Sequence, residues 1–152
     1  VEFFRPKELG GKLEIDIDYL TLPKDITEVD SKELGKYLNA FTQQKMYIRT
    51  LVGWQEIVVE EAKRDYYLQS HELYSQLSLD KKLSETAKER MINNSEEFRD
   101  LFIRYKDEKR KLDLLNYNLM SIEDAIFTIS REISRRGSDW ETDRRNYNVQ
   151  NK

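Results

Sequence analysis

Two long stretches of heptad-patterned sequence constrain the fold more than any other feature. In the second stretch, interrupted only by Glu108, apolar side chains recur at alternating steps of three and four residues. They are Phe98, Leu101, Tyr105, Leu112, Leu115, Leu119, Ile122, Ile126, Ile129 and Ile133. The first stretch, interrupted by Lys45 and Gln55, places Leu34, Leu38, Phe41, Ile48, Val52, Val59, Ala62 and Tyr66 at the same spacing. Each pattern predicts a helix whose apolar seam must be covered by another helix.

The first long helix has a clear start signal. Asp30 or Ser31 is a good N-cap, and the pattern predicts a helix that runs to about Ser70. Gly53 lowers the helix propensity in the middle of this segment. Its position next to Trp54 predicts that another helix crosses closely there.

The second long helix follows a polar connector, predicted over residues 70–83, and a short helix over 84–92. Asn and Ser residues at 93–95 predict a break and a new cap. The long helix should then end at Arg136, because Gly137 is typical of a C-terminal stop. The connector is too short for most parallel returns. We therefore predict an all-α fold, in which the two long helices form an antiparallel hairpin or coiled coil.

The first thirty residues differ from the rest. Apolar and acidic residues alternate there, with Leu13, Ile15, Ile17 and Tyr19 as the apolar set. This period predicts a half-buried strand, within a short extended, β-like arm that lies along its own helical body or pairs with another subunit. The predicted organisation is an acidic arm over residues 1–30, a helical domain over 31–137 and a polar tail over 138–152.

Composition supports an extended helical protein. Charged residues make up 36% of the chain and hydrophobic residues 38%. Two helices alone enclose little core, so we expect a homo-oligomer. No apolar run approaches the roughly 18–20 residues that span a bilayer, and no membrane partner is expected. The chain has no cysteine, which fits a reducing compartment. We expect a cytoplasmic protein, in the cytoplasm of the host cell if a phage encodes it.

The sequence offers little catalytic chemistry. Its one histidine, His71, has no cysteine or ligand-spaced carboxylates with which to form a metal site. The Gly10-Gly11-Lys12 segment lacks the spacing of a phosphate-binding loop. We therefore expect no enzyme, no metal and no cofactor.

Two clusters combine basic and aromatic residues near the helix ends. Lys63 and Arg64 precede Tyr67 in the first helix, and Arg135 and Arg136 come shortly before a tryptophan at the end of the second. Basic side chains bind phosphates, and aromatic rings stack on unpaired bases. These five residues are the predicted nucleic-acid-binding site. The alternative interpretation is that the tyrosines belong to the seam and its flank, and that the arginines cap a helix.

The order of these motifs resembles the UvsY family of phage recombination mediators. Lys36-Tyr37-Leu38 opens a long helix about thirty residues before the basic segment that ends in Tyr66-Tyr67. The second helix closes on a basic turn with a glycine, residues 133–137, followed by Trp140. The similarity covers residues 31–147. The chain departs from the family in lacking a glycine soon after the tyrosine pair and a Gln-Ile-Lys run after the basic turn.

The resemblance implies a small, helical, ring-forming protein that binds single-stranded DNA. It also implies contacts with a strand-exchange recombinase and with a single-strand-binding protein, which the mediator helps the recombinase to displace. Two alternatives follow from the heptads and the acidic net charge of −3. One is a structural or adaptor coiled coil, such as a virion component, without a nucleic-acid site. The other is a regulator that captures a partner helix on its seam.

Overall fold

The structure, a computed structural model, describes residues 2–3 and 13–150 of the chain, and the side chains of residues 14–142. Strands β1 (Glu2–Phe3) and β2 (Leu13–Glu14) pair antiparallel, with Glu2 opposite Glu14. Three helices follow, α1 (Ser31–Leu77), α2 (Glu85–Asn94) and α3 (Glu96–Gln150). The prediction of an all-α fold built on two long helices is confirmed.

The chain divides into two compact units, and α1 and α3 run through both. The first unit comprises Val1–Thr50 and Tyr117–Lys152, and the second comprises Leu51–Asn116. In the first unit Lys45 pairs with Glu123, and in the second Gln55 bonds to Glu108. Ser31 also bonds to Arg136 in the first unit, and Asp65 pairs with Arg104 in the second. Within each unit a later position on α1 therefore contacts an earlier position on α3, so the two helices pack antiparallel.

The core of the first unit lies on the predicted seams except at Ala125, which is buried beside the seam residue Ile126. Leu34 and Ile129 are fully buried, and Phe41, Ile122 and Ala125 complete the cluster. Three apolar residues from the segment before α1 pack against it, namely Leu22, Ile26 and Val29. Residues 22–29 of the predicted arm thus lie on its own helical body.

In the second unit, the two polar residues that interrupt the seams, Gln55 of α1 and Glu108 of α3, form hydrogen bonds with each other. Gln55 is only 4% exposed. Its side-chain Nε2 donates to the Glu108 carbonyl at 3.0 Å and to the Glu108 carboxylate at 2.7 Å. A buried amide is tolerated when its hydrogen bonds are made. Lys111 and Gln55 together hold the pKa of Glu108 below its usual range.

The predicted strand over residues 13–19 is wrong beyond Glu14. Residues Ile17–Tyr19 form a 3-10 turn instead. The Asp16 side chain caps this turn by accepting from the backbone N–H of Asp18 at 3.2 Å. A short-range bond of this kind competes with strand pairing, so the period-two pattern did not extend the strand. Residues 1 and 4–12 of the predicted arm, and residues 151–152 of the predicted tail, lie outside the described residues.

The predicted end of the second long helix is also wrong, because α3 continues through Gly137 to Gln150. An interior glycine costs only about 1 kcal/mol relative to alanine. Arg135 Nη1 and Asp139 Oδ2 lie 2.6 Å apart and bridge the glycine by a pair four residues apart. The first helix likewise exceeds its predicted end and shortens the connector, whereas the break around Ser95 is where the sequence predicts it.

The close helix crossing predicted at Gly53 is not present within the described chain. A side chain built on Gly53 would meet nothing within 4 Å, and both Gly53 and Trp54 are exposed. The glycine faces solvent on the side of α1 that points away from the seam.

Candidate nucleic-acid interface

Lys63, Arg64 and Tyr67 lie on one turn of α1 in the second unit. Arg64 is exposed and forms no ion pair or hydrogen bond with any residue the structure describes. The Lys63 ammonium lies 3.7 Å from Glu60, a loose surface pair that contributes little stability. Tyr67 is 48% exposed. Because residues four apart share a helix face, the structure brings Lys63 and Tyr67 together as the sequence predicts.

A cluster of aromatic rings supports Tyr67 from behind. Its ring stacks on Tyr66 with centroids 4.5 Å apart. The Tyr66 ring in turn meets Phe98, Phe102 and Tyr105 of α3 at 6.1, 5.5 and 5.1 Å. Burial raises the pKa of Tyr66 to about 12, so this ring stays neutral at physiological pH. Tyr67 is therefore held by packed neighbours with its outer part open to solvent, which suits a stacking platform.

Sequence reasoning missed two residues beside this platform. Phe102 is partly exposed, and the Lys106 ammonium lies over its ring, 5.4 Å from the centroid. The i, i+4 spacing of Phe98, Phe102 and Lys106 could have indicated these two residues, since residues at this spacing share one helix face. What the sequence did not show is that this face of α3 meets Tyr66 of α1.

Lys63, Arg64 and Tyr67 together form the patch, and the residues around the patch are mixed in charge. Arg64 shares a surface groove with three glutamates and Gly53. The glutamates are Glu56, Glu60 and Glu61. They offset part of the positive field of Lys63 and Arg64, so charge alone would hold a phosphate backbone weakly here.

Arg135 and Arg136, the other predicted site residues, lie in the first unit and bind a buried carboxylate. Glu132 is 6% exposed and accepts from Arg135 Nη2 at 2.8 Å and from Arg136 Nε at 2.7 Å. Arg136 also donates to Ser31 Oγ at 3.1 Å and to the Thr27 carbonyl at 3.0 Å. This group of five residues, the Glu132 clasp, ties α3 to the segment before α1.

The Glu132 clasp leaves its two arginines poorly placed to bind DNA. Most of their donors are already used, and a buried carboxylate neutralises part of their charge. Their ion pairs have a structural consequence instead. Hydrogen bonds from Arg135 and Arg136 lower the pKa of Glu132 to about 2 from an ordinary value of 4.5.

We expect the Glu132 clasp to make stability depend on pH in the acid range. A carboxylate whose pKa is lower in the folded state contributes stability above its ordinary pKa. That contribution is lost as the pH falls from about 4.5 through about 2. Melting temperatures of the parent and of a Glu132→Gln variant should differ most near neutrality and converge towards pH 2. A gap that stays constant over this range would contradict the prediction.

The described residues contain no group of three or more histidine, cysteine, aspartate or glutamate side chains that could hold a metal ion. His71 lines a shallow pocket with Ser70, Tyr74 and Glu89.

No described helix is long and apolar enough to cross a membrane.

Comparisons with models of protein families, with curated proteins and with solved structures find no match to this chain. The resemblance to UvsY-family mediators therefore rests on the sequence motifs alone.

Proposed function

We propose that this protein is a non-enzymatic accessory factor that binds single-stranded DNA and helps to load a strand-exchange recombinase. The observation that carries the proposal is the exposed Tyr67 ring, stacked on the half-buried Tyr66 and flanked by Lys63 and Arg64. The resemblance to UvsY-family mediators supplies the recombinase and the single-strand-binding protein as partners. The protein would bind DNA in the cytoplasm, which is the cytoplasm of the host cell if a phage encodes the protein.

Binding would combine stacking with a few phosphate contacts. Tyr67 offers a ring face to an unpaired base, while Lys63 and Arg64 hold the adjacent backbone. In duplex DNA the bases are paired and stacked on one another, so their faces are not free to stack on the Tyr67 ring. We therefore expect a preference for single strands over duplex, together with a salt dependence smaller than that of a strongly basic protein.

Removing the platform is the test of this function. A stacked base contributes roughly 1–3 kcal/mol, so Tyr67→Ala should weaken single-strand binding by roughly 5- to 100-fold. Arg64→Ala should weaken binding and also flatten the salt dependence between about 50 and 200 mM. Fluorescence anisotropy with a labelled oligothymidylate measures both effects.

Matched controls separate the patch from general changes of surface. Tyr117→Ala removes a tyrosine outside the patch that is more exposed than Tyr67, and Arg90→Ala removes an exposed arginine of α2. Both should bind like the parent. A parent that does not bind single strands at about 50 mM salt would reject the proposal. So would a Tyr67→Ala variant that binds as tightly as its control.

A structural or adaptor coiled coil is the second candidate. The observation that favours it is the number of large apolar side chains exposed on α1 and α3. They include Met46, Trp54, Ile57, Ile103, Leu114, Met120 and Phe127. Exposed apolar surface of this kind marks protein contact sites. Stable assembly without any single-strand binding would favour this candidate over the first.

A further inference from the structure

Lys106 of α3 is a cation beside the aromatic residues that support Tyr67. Its ammonium lies over the Phe102 ring, 5.4 Å from the centroid. An aromatic ring attracts a cation through its quadrupole and carries no net charge, so this contact positions the ammonium without neutralising it. Lys106 is exposed and forms no ion pair with any residue that the structure describes. It therefore offers a full positive charge at a defined position.

Lys106 and Tyr67 lie on the same side of the two packed helices of the second unit. Asp65 of α1 pairs with Arg104 of α3 at 3.5 Å, and this pair marks one side. Tyr67 and Lys106 each come two residues later on their own helix. Residues two apart point to nearly opposite sides at about 3.6 residues per turn. Both side chains therefore lie on the side away from the Asp65–Arg104 pair.

The distance between Lys106 and Tyr67 suits one short strand. Three contacts link them through Phe102 and Tyr66, with lengths of 5.4, 5.5 and 4.5 Å. The Lys106 ammonium thus lies within about 15 Å of the Tyr67 ring, which about five nucleotides cover at about 3.4 Å each.

The residues that share a helix face with Lys106 carry no negative charge. The positions three and four residues away on α3 are occupied by Phe102, Ile103, Lys109 and Arg110. Lys109 is exposed and forms no ion pair with any described residue, including Asp113 four positions further on. Lys106 and Lys109 are thus two neighbouring cations without a carboxylate partner in the described chain.

The carboxylates of the α3 groove act mainly on other cations. This groove is lined by Asp100, Asp107 and Glu108 together with Arg104, which belongs to the opposite side of the helix pair. Asp107 is bound to Arg110 at 3.1 Å, and Glu108 is bound to Lys111 at 2.8 Å. Two of the three carboxylates are therefore already paired with cations other than Lys106 and Lys109.

We propose that the single strand bound at Tyr67 crosses from α1 to α3, where Lys106 and Lys109 bind its phosphates. This inference rests on the proposed function, because it extends the same site by two residues. The ligand is a single strand of about five or more nucleotides, with one base stacked on Tyr67 and neighbouring phosphates on α3. The two lysines supply positive charge that the glutamates beside Arg64 offset in the patch.

Salt dependence tests the crossing. The α3 variant carries Lys106→Gln and Lys109→Gln. Each phosphate contact to a single strand contributes about 0.7 to the slope of log K against log salt, so the slope should fall by about 1.4. Binding of an oligothymidylate of about eight nucleotides should weaken roughly 5- to 50-fold at about 50 mM salt. Replacing the same two lysines with arginine keeps both charges and should preserve the slope.

A second pair of lysines provides the matched control. Lys24→Gln combined with Lys32→Gln removes the same charge from exposed positions of the first unit. This variant should keep the slope of the parent, so that a general loss of positive charge is separated from the loss of two phosphate contacts. Circular dichroism and melting temperature of the α3 variant should match the parent, because neither of its lysines forms an ion pair in the described chain.

The crossing and the proposed function fail in different ways. A parent that binds no single strand rejects both. If the parent binds and Tyr67→Ala weakens binding, but the α3 variant keeps the slope of the parent, the platform stands and the crossing is overturned. A lower slope that appears only with much longer strands also overturns the crossing, because the lysines would then belong to a separate binding site.

Discussion

Replacing Ile129 with alanine is expected to destabilise the protein by about 2–5 kcal/mol. Ile129 is fully buried against Leu34, Phe41 and Ile122 in the core of the first unit. Truncation loses the transfer free energy of three carbon atoms and leaves a cavity that two rigid helices cannot easily close. Urea denaturation followed by circular dichroism measures the change in the free energy of unfolding.

Ile17→Ala is the matched control for this experiment. The same three carbon atoms are removed, but Ile17 lies largely exposed in the turn after β2. Substitutions of this kind usually change stability by less than about 0.5 kcal/mol. If the two variants unfold at the same urea concentration, the core is not centred on Ile129.

Replacing Glu132 with alanine is expected to produce the largest loss of stability among the charged residues. The substitution leaves Arg135 and Arg136 without their shared carboxylate, beside the backbone that Arg136 holds. Arg135 keeps Asp139 and water, but the partly buried Arg136 loses its only carboxylate partner among the described residues, and a charge left partly buried without its counter-ion destabilises the folded state. The melting temperature should fall by several degrees. Amide hydrogen exchange should also accelerate in residues 16–30, because Arg136 binds the Thr27 carbonyl.

Asp139→Asn provides the comparison for the Glu132 clasp. Asp139 also pairs with Arg135, at 2.6 Å, but both side chains are largely exposed. Exposed pairs contribute little to stability, so the melting temperature should change only slightly and exchange in residues 16–30 should not. Equal effects of the two substitutions would show that Glu132 does not anchor the segment before α1.

Heptad spacing predicts much of the core, because a seam is a local property of each helix. It is wrong at the end of the α3 seam, where Ile133 is exposed and Glu132 is buried, and it misses the buried Ala125. Leu34, Phe41, Ile122 and Ile129 were all placed on the seams and are buried. The limits of the helices were harder to predict. Gly137 is a common stop signal, but a single residue of low helix propensity does not end this helix. The Arg135–Asp139 ion pair stabilises the helix across the glycine, and the following residues remain helical.

In the candidate site, too, contacts between residues close in sequence could be predicted, whereas contacts between distant residues could not. Lys63, Arg64 and Tyr67 are neighbours on one turn, so their proximity could be inferred from spacing alone. The contact between Tyr66 and Phe102 depends on the register of α1 against α3, which neither pattern specifies. The role of Arg136 was hidden for the same reason. Its partners Ser31 and Thr27 are more than a hundred residues away in sequence, and periodicity says nothing about such pairs.

The bond between Gln55 and Glu108 bears on how such a chain avoids misassembly. Apolar seams built mainly of leucine, isoleucine and valine are nearly self-similar, and sliding one helix by seven residues would exchange one aliphatic contact for another. The same slide would leave the amide of Gln55 facing a hydrocarbon side chain, with its hydrogen bonds lost in a dry environment. A single polar pair therefore penalises every shifted alignment while costing the correct one little. Through this one alignment, Tyr66 comes to lie against the α3 aromatic residues that hold the Tyr67 ring in place.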